Sequence, residues 1–220
     1  MMRFRDRVEA GRILAALLRQ YAGRPDVLVL ALPRGGVPVG YEVARALDAP
    51  LDVFLVRKLG MPGHPEYAIG AIASGDVRLI NEEAVRAFGI TDAELAAVTA
   101  EERAELERRE RRFRGDRPLP RIAGRTVILV DDGLATGYTM RAAVAAIRQE
   151  RPARIVVAVP TAARETCEEL GALVDDIVCA MTPEPFEAVG LWYVNFEQTT
   201  DEEVRELLDL AAHAPHGARD

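Results

Sequence analysis

The 220-residue sequence has no long hydrophobic run, two cysteines and a single lysine. Its longest apolar stretches, Val27–Pro33 and Ile155–Ala163, are far shorter than the ~20 residues that span a bilayer, and its first residues lack the apolar segment of a secretory signal. Cys167 and Cys179 are too few for a disulfide framework or a cysteine-rich zinc site, and we expect both to be buried and inert. These absences favour a soluble, cytoplasmic protein.

Positive charge is also scarce, since 28 basic residues face 35 acidic ones and leave a formal net charge of −7. This balance argues against a nucleic-acid partner, which usually requires a basic surface. The one basic stretch, Arg103–Arg121, is diluted by glutamates. Lys58 is the only lysine. Either it occurs there by chance, or its position needs a compact charge rather than a planar guanidinium.

Short apolar runs alternate with helical patterns, which is typical of a parallel sheet with helices on both faces. Runs rich in Val, Ile and Leu predict buried strands over Val27–Leu32, Asp52–Val56, Thr126–Val130, Arg154–Pro160 and Asp175–Ala180. Amphipathic patterns predict helices over Arg5–Tyr21, Val37–Leu47, Thr139–Gln149 and Arg164–Leu170. We therefore expect one α/β domain over residues 1–220, with a mostly parallel sheet.

One stretch breaks this alternation. Residues 61–120 open with glycine and proline and contain a highly charged helix pattern over Asp92–Arg114. Thr91 and Glu94 match a capping box, and the charges of the helix are spaced for ion pairs three and four residues apart. We interpret this stretch as an arm inserted into the same domain.

The candidate chemistry is concentrated in Val127–Met140, which reads VILVDDGLATGYTM. A buried strand ends in two adjacent carboxylates, Asp131 and Asp132, and a loop with two glycines and two threonines leads into a helix. Ligands of open α/β sheets bind beyond the carboxyl ends of the strands, and free N–H groups at a helix N-terminus favour phosphate. Because carboxylates accept hydrogen bonds from vicinal hydroxyls, the segment indicates a sugar phosphate.

This segment resembles the phosphoribosyl pyrophosphate (PRPP) motif of type I phosphoribosyltransferases, with Gly133 where that family often has an aliphatic residue. The resemblance implies that Asp131 and Asp132 hold the ribose hydroxyls. It implies that the 5′-phosphate is bound by Gly133, Leu134, Ala135, Thr136, Gly137, Tyr138 and Thr139. Ala135 stands where 6-oxopurine enzymes usually have aspartate, which disfavours hypoxanthine and guanine and leaves adenine, uracil or another nitrogen acceptor open.

Two further segments fit the same family. Arg34, Gly35 and Gly36 follow the first predicted strand and resemble its pyrophosphate loop, where glycine lets the backbone approach a ligand closely. Arg57 and Lys58 follow the second predicted strand and resemble a basic pair that contacts pyrophosphate in adenine phosphoribosyltransferases. We therefore expect three clustered cations at the sheet edge that also carries the carboxylate pair.

The resemblance covers most of the chain and includes a predicted bacterial phosphoribosyltransferase group whose acceptor is unassigned. It implies a small hood over residues 182–200 that covers the acceptor, with Phe186 or Trp192 as a base contact; alternatively, these aromatics form the hood's own core. We interpret His64 in the arm as a tolerated loop substitution rather than a general base, and Glu66 as a residue that helps to close the arm.

The resemblance implies an enzyme that transfers 5-phosphoribose from PRPP to a nitrogen acceptor and releases pyrophosphate. Asp131, Asp132, Arg34 and Lys58 are the expected catalytic residues, and Mg²⁺ is the expected cofactor, held by ligand oxygens with no direct protein ligand. The expected partners are small-molecule substrates, and we expect no membrane partner. The resemblance to the superfamily implies a homodimer. The competing hypotheses are a PRPP- or nucleotide-binding regulator without turnover and a nucleic-acid-binding regulator.

Overall fold

A computed structural model describes residues 3–213, which form eight strands and seven α-helices. The strands are β1 (Val27–Ala31), β2 (Leu51–Val53), β3 (Val56–Met61), β4 (His64–Ala73), β5 (Val77–Ile80), β6 (Thr126–Val130), β7 (Arg154–Thr161) and β8 (Asp176–Met181). The helices are α1 (Arg7–Leu17), α2 (Gly36–Leu47), α3 (Glu82–Ala87), α4 (Asp92–Arg114), α5 (Tyr138–Gln149), α6 (Arg164–Gly171) and α7 (Asp201–His213). None of these helices is both long and apolar enough to cross a bilayer.

The central sheet has five parallel strands in the order β2-β1-β6-β7-β8. All residues of β1 and β6 are buried, because helices cover both faces of the sheet. Helices α1 and α2 pack on one face through residues such as Leu14 and Val43, and α5 and α6 pack on the other through Met140 and Leu170. The expected α/β fold is therefore confirmed. Strands β1 and β6 are neighbours, and their last residues, Ala31 and Val130, are paired.

A second sheet, β3-β4-β5, is antiparallel; β4 and β5 fall, with α3 and α4, in the stretch that we interpret as an arm, and β3 leads into it. The predicted single strand Asp52–Val56 is wrong, because β2 ends at Val53 and β3 begins at Val56 in the other sheet. The N–H of Leu55, between the two strands, donates to the buried Ser74 hydroxyl at 3.0 Å. A continuous apolar run does not reveal that its two halves join different sheets.

Helix α7 was not predicted, although its sequence carries the usual signals. Thr200 and Glu203 form reciprocal bonds at its start: the N–H of Glu203 donates to Thr200 Oγ1 at 3.1 Å, and the N–H of Thr200 donates to a Glu203 carboxylate oxygen at 3.2 Å. Val204, Leu208 and Ala211 form its buried face. Val204 and Leu208 belong to the cluster that also contains Leu59 of β3 and Leu106 of α4.

Cys167 of α6 and Cys179 of β8 are joined by a disulfide, with their Cα atoms 6.8 Å apart. The expectation of two inert thiols is therefore wrong. The elements on which they lie were predicted, but the pairing exists only because α6 packs back beside β8, which the spacing of two cysteines does not indicate.

Candidate active site

Two loops meet at the carboxyl edge of the central sheet. Asp131 and Asp132 follow β6, while Gly35 and Gly36 lie at the start of the helix that follows the neighbouring β1. A Cβ on Gly36 would lie 2.8 Å from the carbonyl oxygen of Val130, and one on Gly35 would overlap the Asp132 carboxylate. Only glycine allows this contact, so the structure brings the predicted carboxylate pair and the predicted pyrophosphate loop together.

The carboxylate pair occupies a position that disfavours negative charge. Burial, together with the neighbouring Asp132 charge, raises the pKa of Asp131 well above its usual range, although the N–H of Asp132 donates to Asp131 Oδ1 at 2.8 Å. Burial also raises the pKa of Asp132, against the opposing influence of Arg7. Hydroxyl donors or a cation supplied by a ligand would stabilise the charged form of such a pair.

Arg7, in the first turn of α1, supplies positive charge beside this pair. Its Nε and Nη2 atoms each lie 2.8 Å from Asp132 Oδ2, and its Nη1 donates to the carbonyl of Glu197 at 2.7 Å. The ring of Phe196 covers the guanidinium, with Cζ 3.9 Å from the ring centroid. The hydroxyl of Tyr193 donates to the Asp132 carbonyl oxygen at 2.6 Å. The N-terminal helix and the hood therefore hold Asp132 jointly.

The predicted phosphate loop, Gly133–Thr139, leads into α5 with most of its residues exposed. Gly137 has a φ of 67°, in the left-handed region that favours glycine. Thr166 of α6 supports the loop, because its hydroxyl donates to the Ala135 carbonyl at 2.6 Å. The free N–H groups at the start of α5 and the loop hydroxyls are thus available to an anion.

A cavity of about 240 Å³ lies beside the predicted pyrophosphate loop. Arg34, which follows a cis peptide bond with Pro33, lines it together with Thr139 at the start of α5. Arg34 Nη1 lies 3.4 Å from Oδ1 of Asp201, the first residue of α7. The predicted phosphate and pyrophosphate loops therefore border one cavity.

Arg57 and Lys58 lie within β3 of the second sheet, not beyond a strand of the central sheet as expected. Arg57 lines the same cavity as Arg34 and pairs with Glu102 of α4. Lys58 is exposed, does not line that cavity, and donates from Nζ to the Glu66 carbonyl at 3.1 Å. Because neighbouring residues of a strand face opposite sides, the structure brings Arg57 to Arg34 and leaves Lys58 apart.

The hood aromatics pack on one another and on the loop beneath. Trp192 is buried and stacks on Phe186, with ring centroids 6.3 Å apart. A Cβ on Gly133 would lie 3.1 Å from Thr161 and closer still to the side chain of Val189 in the hood. A larger residue at position 133 would therefore collide with the hood.

His64 begins β4 near the outer end of the arm hairpin, where it pairs across from Met61. Its Nδ1 lies 3.3 Å from Glu66 Oε1, and both side chains are mostly exposed. A role for either residue in closing the arm stays a prediction.

Sequence reasoning did not single out several residues that shape the site. Arg7 and Asp201 contact predicted site residues, and three arginines of α4 line the cavity: Arg108, Arg109 and Arg112. The spacing of the α4 arginines on one helix face could have drawn attention to them. No local pattern indicates the contacts of Arg7 and Asp201, because their partners lie more than one hundred residues away.

A family model and several known proteins match this chain. The phosphoribosyl transferase domain model matches residues 6–180. Two Mycobacterium tuberculosis proteins, from strains CDC 1551 and H37Rv, are described as candidate phosphoribosyl transferases and are each 46% identical over 211 residues. The match covers 96% of this chain and 47% of each relative, so the chain spans about half their length.

Similarity also extends to a solved structure, the crystal structure of TT1426 from Thermus thermophilus. It has a TM-score of 0.82 and 46% sequence identity, and the match covers 94% of this chain and 98% of that one. Together with the family model, which matches most of the sequence, these similarities show that the chain belongs to the phosphoribosyltransferase family.

Proposed function

We propose that this protein transfers the 5-phosphoribosyl group of PRPP to a nitrogen acceptor and releases pyrophosphate. The observation that carries the proposal is the meeting of three segments at one sheet edge: Asp131–Asp132, Gly133–Thr139 and Arg34–Gly36. The carboxylates would accept hydrogen bonds from the ribose hydroxyls. The Gly133–Thr139 loop would donate N–H and hydroxyl hydrogen bonds to the 5′-phosphate, and Arg34 would supply positive charge for the pyrophosphate.

In this reaction the bond from ribose C1 to pyrophosphate breaks as the acceptor nitrogen bonds to C1. Positive charge develops on the sugar, so Asp131 and Asp132 would both orient its hydroxyls and stabilise that charge. Arg34 and Arg57 would stabilise the leaving pyrophosphate. Lys58 would join them only after the arm moves, because its Nζ now binds a carbonyl of the arm. A closed arm would also exclude water from the sugar.

The carboxylate pair fits Mg²⁺ that is held by oxygens of the substrate, with no direct protein ligand. Within residues 3–213 no group of three or more His, Cys, Asp or Glu side chains is arranged to hold a metal by itself. Burial raises the pKa values of Asp131 and Asp132, and a cation bound nearby with the substrate would favour their charged forms. Mg²⁺ bound with PRPP would neutralise part of the pyrophosphate charge.

The proposed acceptor is a nitrogen compound, with a nucleobase as the leading candidate, and it would bind under the hood. Ala135 presents a methyl group where 6-oxopurine enzymes of the family have a carboxylate, so adenine or uracil is favoured over hypoxanthine or guanine. Phe186 is the candidate stacking residue, and the buried Trp192 would hold its ring in place. We further propose a cytoplasmic homodimer that acts on small molecules of nucleotide metabolism.

Calorimetric titration of PRPP with and without Mg²⁺ tests the ligand. We expect Mg²⁺-dependent binding to the wild type and its loss in the Asp131→Asn/Asp132→Asn variant. An acceptor screen by pyrophosphate release then tests transfer. No binding to either protein would overturn the proposal and direct the search to other sugar phosphates.

The contact of Arg7 with Asp132 favours one alternative, a PRPP-binding regulator without turnover. Because Arg7 already neutralises that carboxylate, the negative charge that stabilises a cationic sugar is reduced. Binding of PRPP to the wild type without pyrophosphate release for any acceptor would support the regulator, and release by Arg7→Met would show that Arg7 prevents turnover.

A further inference from the structure

Five arginines line the cavity beside the pyrophosphate loop. Arg34 comes from the edge of the central sheet, Arg57 from β3, and Arg108, Arg109 and Arg112 from α4. Positions 108 and 112 are four apart and positions 109 and 112 three apart, so they share one face of the helix. Helix α4 therefore directs part of its basic surface at the loop that carries Arg34.

Glutamates of α4 compensate some of this charge. Two oxygens of Glu105 each lie 2.7 Å from a guanidinium Nε, one on Arg108 and one on Arg109. Arg57 is paired with Glu102 and lies 3.8 Å from Glu105. These contacts hold the guanidinium groups of Arg57, Arg108 and Arg109 close together around one carboxylate.

Asp201 bridges the remaining two arginines. Its Oδ2 lies 2.6 Å from Arg112 Nε, and its Oδ1 lies 3.4 Å from Arg34 Nη1. Its side chain is 16% exposed, so the contact is largely sheltered. The carboxylate therefore links α4 to the pyrophosphate loop in the way that an anionic ligand group would.

A fourth carboxylate, Glu202, lies 4.0 Å from Arg112, so the five arginines outnumber their carboxylate partners by one charge, and by two once Asp201 is displaced. Like charges held together repel, and this surplus borders a cavity that Thr139 also lines from the start of α5. An anion with two or more phosphoryl charges would offset the surplus and would form charge-assisted, bidentate bonds with guanidinium groups.

We propose that Arg108, Arg109 and Arg112 of α4 form the outer half of a diphosphate site, and that Asp201 occupies the place of the anion until it binds. The proposal rests on the proposed function and deepens it, since it makes the inserted arm a source of binding residues. It also assigns α7 a regulatory contact, because an incoming diphosphate must displace Asp201 from Arg112 and Arg34.

Titration of the full chain with inorganic pyrophosphate tests this site. Arg109→Ala and Arg112→Ala should each weaken binding by roughly tenfold or more, as expected for lost hydrogen bonds to a charged group. Arg111→Ala is the matched control, because Arg111 is exposed on the same helix and does not line the cavity. Asp201→Asn should tighten binding severalfold, because it removes the competing charge, and thermal unfolding of each variant checks its fold.

Three outcomes would overturn the diphosphate site. The affinity for pyrophosphate could be unchanged in Arg109→Ala and Arg112→Ala, it could fall equally in the control Arg111→Ala, or it could fail to rise in Asp201→Asn. Ribose 5-phosphate separates this failure from failure of the proposed function, because it probes the Gly133–Thr139 loop. If PRPP and ribose 5-phosphate bind but the α4 variants keep their pyrophosphate affinity, only the α4 site fails. If pyrophosphate binding depends on the α4 arginines but PRPP and ribose 5-phosphate do not bind, the proposed function fails and the α4 site stands.

Discussion

Two nitrogen atoms of the Arg7 guanidinium each lie 2.8 Å from the same carboxylate oxygen of Asp132, although the two residues are 125 positions apart in the sequence. The two side chains are 11% and 15% exposed, so the pair is largely shielded from water. Phe196 covers its outer side. An ion pair in such a position is costly to break, because one buried charge remains unpaired.

Arg7→Ala should therefore lower the free energy of unfolding by roughly 3 kcal/mol. The control is Arg5→Ala, whose pair with Asp6 is far more exposed and should contribute less than about 1 kcal/mol. Urea denaturation of both variants measures the difference, and equal costs would contradict a special role for the Arg7–Asp132 pair.

Asp131 should make the protein less stable as pH rises. Its raised pKa means that the folded protein retains a proton that the unfolded chain releases at lower pH, so the free energy of unfolding falls between the ordinary carboxyl pKa and the raised one. Asp131→Asn should flatten this dependence, raise the melting temperature at neutral pH and abolish PRPP binding. Thermal unfolding across a pH series measures the effect.

Asp26 should affect stability in the opposite direction to Asp131, because its pKa is lowered rather than raised. Bonds from Arg24 and Thr126 lower the pKa of Asp26 to about 2, so its contribution is present above the unfolded pKa and is lost as pH falls toward 2. Asp26→Asn should lower the melting temperature at neutral pH. If both aspartate variants shifted it in the same direction, the explanation for Asp131 would fail.

Gly36→Ala should disrupt the contact between the two site loops. The new Cβ would lie 2.8 Å from the Val130 carbonyl oxygen and 2.9 Å from Asp131 Cα, both backbone atoms that cannot swing away. We expect a loss of about 1–3 kcal/mol of stability and weaker PRPP binding by calorimetry. Gly171→Ala is the control, since its Cβ would meet only a side-chain atom of Ile177, at 3.2 Å.

The Cys167–Cys179 bridge should stabilise the support of the phosphate loop. It closes a short loop of chain, with a sequence separation of 12, for which chain entropy gives at most about 3 kcal/mol. Cys167→Ser/Cys179→Ser should unfold at lower urea concentration and bind PRPP less tightly, because Thr166 of the same helix bonds to Ala135. A reductant should bring the wild type to the level of the variant, and a wild type indifferent to reductant would contradict the bridge.

The sequence was sufficient for the central fold and for part of the candidate site. The runs that form β1 and β6 and the helix patterns of α2 and α5 are local, so their bounds agree with the structure to within about one residue. The contact between the loops after β1 and β6 follows from the order of parallel strands, since both carboxyl ends meet at one edge.

What the sequence did not provide depends on contacts between distant segments. Nothing near Arg7 indicates Asp132, and nothing near Asp201 indicates Arg34. The predicted position of Lys58 is wrong because the chain leaves the central sheet after Val53, within an unbroken apolar run. Helix α7 is a different case, because Thr200 and Glu203 carried a local signal that was not used.

The contacts around the carboxylate pair are completed late in synthesis of the chain, because some of them come from the hood. Phe4 exchanges backbone hydrogen bonds with Trp192 and Val194, at 2.9 and 2.8 Å, which joins the beginning of the described chain to the hood. On a ribosome, β6 and the loop that begins with Asp131 emerge before the hood and α7. The carboxylate pair therefore lacks the contact of Tyr193, and Arg7 lacks that of Glu197, until the last fifth of the described chain is made, so a nascent chain that ends before the hood has an unfinished binding site.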